Sequence, residues 1–68
     1  MDKIICHKIE QYLQNKFESG IIKVIPRSKQ TDSAEVFIKD EFIGVIYVDD
    51  EDGDLSYSFN MAILEIDL

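Results

Sequence analysis

Phe42-Ile43-Gly44-Val45-Ile46-Tyr47-Val48, followed by Asp49-Asp50-Glu51-Asp52-Gly53-Asp54 and then Leu55-Ser56-Tyr57-Ser58-Phe59-Asn60-Met61-Ala62-Ile63, is the stretch that decides the fold. Its first part is the most strand-like run in the chain, rich in β-branched and aromatic residues. The Asp-Gly pair in the middle is of the type favoured in a two-residue hairpin turn. With Asp52 and Gly53 at the centre of that turn, Val48 faces Tyr57, Ile46 faces Phe59, Gly44 faces Met61 and Phe42 faces Ile63. This register gathers large apolar side chains on one face, with Ser56, Ser58 and Asn60 on the other. The alternation then inverts, because Ala62, Leu64, Ile66 and Leu68 are apolar while Glu65 and Asp67 are not. A one-residue slip reverses every side chain of a strand, so a bulge, a bend or a change of packing partner is expected near Met61 to Ile63.

Upstream of the hairpin, Ala34 to Lys39 has strand character and connects tightly through Lys39-Asp40-Glu41. Ile21 to Ile25 is a short β-branched run ended by Pro26, which cannot continue an interior strand. Residues Arg27 to Asp32 read as a loop. Ahead of these, Ile5, Ile9, Tyr12, Leu13 and Phe17 recur at spacings of three and four, predicting one buried helical face. Asp2 is placed to cap that helix and Gly20 to end it. The expectation is an α+β fold in one small domain, residues 1–68. Its helix spans about 2–19 and its antiparallel strands about 21–25, 34–39, 42–48 and 55–66, in the order αββββ.

Sixty-eight residues leave little surface to bury, about 60% of what the unfolded chain exposes. The lone Cys6 offers no disulfide and no zinc quartet. There is no leader-like start and no apolar run near the roughly 20 residues of a spanning helix, so a cytoplasmic protein without a membrane partner is expected. The net charge of −7 argues against nucleic acid. That charge is unevenly spread. Residues 1–31 carry six bases against three acids, and the remainder carries one base against eleven acids.

No motif for catalysis or a cofactor stands out: there is no Gly-rich phosphate loop, nucleophile elbow, HExxH or CxxC. Cys6 and His7, adjacent on a helix, point about 100° apart and make no preformed nucleophile and base. An enzyme would need a composite site with acids from another subunit. Lys23, Arg27 and Lys29 form a small basic patch, read as a solvated loop. Within the acidic run, Asp50, Asp52 and Asp54 are weak candidates for a divalent cation or a small charged ligand. The EF-hand template fails on them, because Val48 and Phe59 fall where acids are required. A solvated hairpin tip is the plainer reading.

One helix covers one sheet face, and the remaining residues Val36, Ile38, Ile43, Val45 and Tyr47 cannot all lie under it if the strands are regular. They are expected to form an apolar interaction surface, buried in a homodimer or curled into the core, with the strand edges as the alternative dimer contact. An unidentified protein partner is compatible with the same surface. The leading expectation is a non-enzymatic interaction or structural module.

The runs Asp32-Ser33-Ala34-Glu35-Val36-Phe37-Ile38, Asp40-Glu41-Phe42-Ile43-Gly44-Val45-Ile46, Glu51-Asp52-Gly53-Asp54 and Phe59-Asn60-Met61-Ala62-Ile63-Leu64-Glu65-Ile66-Asp67-Leu68 together resemble a family of short alphaproteobacterial proteins catalogued as a domain of unknown function. The resemblance covers nearly the whole chain. It implies a bacterial, cytoplasmic, stand-alone protein and brings no catalytic residue with it. The chain departs from that family at Lys39, where a glycine is expected, and in the less basic loop from Arg27 to Gln30.

Overall fold

The computed structural model describes residues 1–51 and 53–68, and the elements follow the expected order: helix α1 (Lys3–Lys16), strands β1 (Ile22–Pro26), β2 (Ser33–Ile38), β3 (Glu41–Asp49) and β4 (Ser56–Asn60), and a short 3-10 turn at Glu65–Asp67. The sheet is antiparallel with its strands in sequence order, so β1 and β4 are its two edges.

Asp2 caps α1, its carboxylate accepting from the Ile5 amide at 2.8 Å. The helix stops at Lys16 rather than near Ser19. Glu18, not Gly20, takes the left-handed conformation (φ 51), and the Ser19 amide closes the end on the Gln14 carbonyl. Lys39, in the turn between β2 and β3, is also left-handed (φ 55). A glycine would adopt that conformation without a Cβ clash, which gives a physical reason for the family expectation at this position.

The core is a seam between helix and sheet: Cys6 and Leu13, seven residues apart, meet Ile22, Val24, Ala34, Val36 and Ile46. Cross-strand pairing explains the set. Val24 pairs with Val36, Ala34 with Ile46, and Ile46 with Phe59, so the side chains of these rows share the helix-facing side. Tyr12 and Phe17, expected in the buried face, are 59% and 57% exposed. The helix lies closest to β1, which leaves the flank bearing Tyr12 standing off from β3 and β4, and Phe17 sits past the last helical turn.

The β3–β4 register matches the sequence expectation at Val48↔Tyr57 and Ile46↔Phe59. The described ladder ends at Asp49↔Ser56. Asp52, half of the expected two-residue turn, lies outside the described residues. Strand β4 ends at Asn60 instead of running to about Ile66, so Gly44↔Met61 and Phe42↔Ile63 do not pair. A separate irregularity lies in the β2–β3 ladder. Val36 pairs with Gly44 but Phe37 pairs with Phe42, so Ile43 is an extra residue in β3, and a bulge of this kind bends the strand away from a straight ladder.

Candidate functional site

The two sheet edges are built differently. Along β1, the Glu10 carboxylate accepts from the Val24 amide at 2.9 Å, and the Gln14 side-chain amide donates to the Ile22 carbonyl at 2.9 Å. Glu10 and Gln14 are one helical turn apart on the same flank of α1, and they occupy backbone groups that an edge strand leaves open. Pro26 has the same parity as Val24, so its missing N–H falls on this outer edge and removes no ladder bond.

The other flank of α1 carries Lys8, Ile9, Tyr12 and Lys16, and it overhangs β3 and β4 without touching them closely. A cleft of about 410 Å³ results, walled by Ile9, Tyr12, Leu13, Ile46, Tyr57 and Phe59 with Lys8 at its rim. Lys16 stands over the Tyr12 ring at 5.6 Å. Sequence reasoning missed this cleft, because it assigned Tyr12 to the core. The signal was the spacing of Lys8, Tyr12 and Lys16, four apart, which puts two cations and an aromatic on one stripe.

The five residues expected to form one interaction surface are divided by the structure. Val36 is 0% exposed in the core, and Ile38 packs against the core from the same side of β2. Ile43, the bulge residue, is half-buried against the core as well. Val45 and Tyr47 share the outer face. The pairing sets this division: Val36 stands beside Gly44, whereas Val45 stands beside Glu35 and Asn60, and Tyr47 beside Ser33 and Ser58. The outer face is therefore a mixed surface rather than the continuous apolar one expected. A broad groove of about 990 Å³ runs there, between Val45, Tyr47 and Phe42 on the sheet and the segment Met61–Leu64. Phe42 also packs edge-on against Phe37, its ring centre 5.7 Å away.

In the acidic loop the Asp49 carboxylate accepts from the Glu51 amide, and the Gly53 amide donates to the Asp50 carbonyl. Asp50 and Asp54 are exposed, and Asp52 lies outside the described residues. Among the described residues no three His, Cys, Asp or Glu side chains converge as ligands for a metal. Cys6 is buried while His7 is exposed and lies 3.9 Å from the Glu10 carboxylate. Burial pushes the Cys6 thiol pKa up; the Met1 ammonium opposes this, and Asp2 and Glu10 add to it. In the basic loop, Arg27 donates to the Gln30 side chain at 3.1 Å, and the buried Ser33 hydroxyl donates to the same Gln30 oxygen. Arg27 thus organises the turn before β2. Among the described residues no helix is long and apolar enough to cross a membrane.

Residues 6–67 match the family described as Protein of unknown function (DUF3126). No curated protein and no solved structure matches the chain.

Proposed function

The chain belongs to the DUF3126 family, proteins of unknown function, and from that premise we propose that it acts by associating with a second copy of itself, as a non-enzymatic interaction or structural module. One observation carries the reading. Of the fourteen large apolar side chains left exposed among the described residues, nine lie from Phe42 onward, on β3, β4, Leu55 between them and the segment that follows. Scattered surface apolar residues need no explanation, but a concentration at the β3–β4 end of so small a protein, on both faces of the sheet, is the mark of an interface.

The same reading places the protein in the bacterial cytoplasm, where a single buried thiol stays reduced. It also gives the protein neither nucleic acid nor membrane as a partner. The test is the molar mass in solution by size separation with light scattering, from micromolar to millimolar protein. A mass that rises toward twice 7.9 kDa with concentration is expected. A strict monomer over that whole range removes the proposal.

A further inference from the structure

The homodimer reading leaves open which surfaces meet, and three features of the chain converge on one answer. First, among the described residues β4 has β3 as its sole strand neighbour, and no helix side chain closes its outer edge as Glu10 and Gln14 close that of β1. Second, the apolar cleft between α1 and the sheet opens beside that edge, rimmed by Lys8 with Lys16 nearby. Third, the segment Leu64-Glu65-Ile66-Asp67-Leu68, held here as a 3-10 turn that would have to open, alternates apolar and acidic residues, a pattern that gives an extended strand one apolar face. Ile66 at 89% and Leu68 at 90% exposed are the least covered large apolar side chains among the described residues.

The segment cannot readily fold back on its own β4. A hairpin there would need a tight turn through Met61 and Ala62, between Asn60 and Ile63. The turns that suit such a connection require positive φ and draw on glycine, asparagine or aspartate. Met61, Ala62 and Ile63 supply none of these. The chain leaves Asn60 instead across the outer face, beside Val45 and Tyr47, on the side of the sheet away from the cleft.

Resting on the homodimer reading, we propose that residues 64–68 of each copy add as a strand to the β4 edge of the other copy. Leu64, Ile66 and Leu68 then enter the partner's cleft, while Glu65 and Asp67 lie on the side of Ser58 and Asn60. The exchange is reciprocal, as the symmetry of a twofold dimer requires, and strand addition of this kind supplies main-chain hydrogen bonds as well as pocket contacts. The segment carries two negative charges and the cleft has Lys8 at its rim with Lys16 nearby, so long-range attraction favours approach even though Glu65 and Asp67 end on the opposite sheet face. The link 61–63 spans at most about 11 Å, so the two β4 strands must lie close together.

The test uses the full chain with two variants, Ile66→Asp in the donated segment and Tyr12→Glu in the receiving cleft, both at exposed positions where the monomer fold is kept and circular dichroism verifies it. Each variant alone is expected to weaken association at least about tenfold, the equivalent of 1.4 kcal/mol. An equimolar mixture of the two is expected to regain association, because one copy keeps an intact segment and the other an intact cleft. Failure of the mixture to regain it overturns the exchange. Association that survives Ile66→Asp but is lost in Val45→Glu also overturns it, and moves the contact to the outer sheet face with the homodimer reading intact. A wild-type protein that stays monomeric overturns both.

Discussion

The edge at β1 and the edge at β4 belong to the same sheet, yet only one is finished. At β1 the helix lies overhead, and its Glu10 and Gln14 side chains occupy open backbone groups of the strand. At β4 the helix is too far across to reach, and the strand stops after five residues, its chain continuing into a segment that stays exposed. The difference follows from one economy. A single helix of fourteen residues cannot lie over both sides of a four-stranded sheet, and here it sits on the strand that follows it directly in sequence. Short connections favour that neighbour. Whatever covers β4 has to come from elsewhere.

The strongest way to break the comparison acts on the open side. Gly44 faces the end of β4, where an added Cβ would stand 2.5 Å from the Asn60 carbonyl oxygen and 2.6 Å from the Phe59 ring. The ring can swing, but the backbone oxygen cannot yield without moving the strand. Gly44→Ala is expected to cost about 1–3 kcal/mol, as overpacking generally does. Hydrogen exchange should locate the damage: amides of β4 lose protection while those of β1 and β2 keep theirs. Equal loss at both edges would mean that the two sides unfold as one unit.

On the closed side the corresponding change is Glu10→Ala, which leaves the Val24 amide without its partner. Because that bond is only part-buried and water can reach it, the expected cost is near the low end for an unpaired donor, about 1 kcal/mol. Glu10→Gln keeps an acceptor oxygen in place and should recover most of it. Denaturant titration of the three proteins measures this directly. If Ala and Gln behave alike, the hydrogen bond is not what closes the β1 edge.

Much of this contrast was legible in the residues, and the parts that were not have identifiable causes. The Asp-Gly pair and the alternation on either side of it predicted the β3–β4 register correctly at Ile46↔Phe59 and Val48↔Tyr57. The inversion after Met61 signalled that the last strand could not run on, although the sequence could not say whether the chain would bulge or leave. It leaves, since β4 ends at Asn60, and the bulge at Ile43 belongs to the β2–β3 ladder instead. The interaction surface was harder to read. Val36 and Val45 are both β-branched strand residues with nothing local to distinguish them, and only the pairing across strands sends Val36 to the core and Val45 to the outer face. Helical spacing likewise found the apolar stripe of α1 but not where the helix sits over the sheet. That offset exposes Tyr12 and creates the cleft, and it is a tertiary property, set in part by the two polar side chains that grip β1.

The smallest effect reads the closed side from within. Cys6 is 2% exposed under the helix, and burial raises its pKa above the ordinary thiol value. The neutral form is therefore favoured in the folded state relative to the unfolded one. Below about pH 8.5, where an unfolded thiol is still protonated, the contribution of Cys6 to stability is fully present. As pH rises from there through the folded pKa it is lost, because the unfolded chain releases its proton first. Stability of the wild type is expected to decline over that alkaline window by more than that of Cys6→Ala, when both are followed by denaturant titration at fixed salt. Identical alkaline slopes would remove Cys6 as the cause. A thiol reagent sharpens the reading further, since the folded protein should react slowly at pH 8 and Glu10→Ala faster, each in proportion to how often the helix lifts from β1. If Gly44→Ala accelerates labelling as much as Glu10→Ala does, then the helix and β4 are coupled across the cleft, and the open edge influences the closed one through Ile46, the residue that pairs with Phe59 on one side and lies in the core with Cys6 on the other.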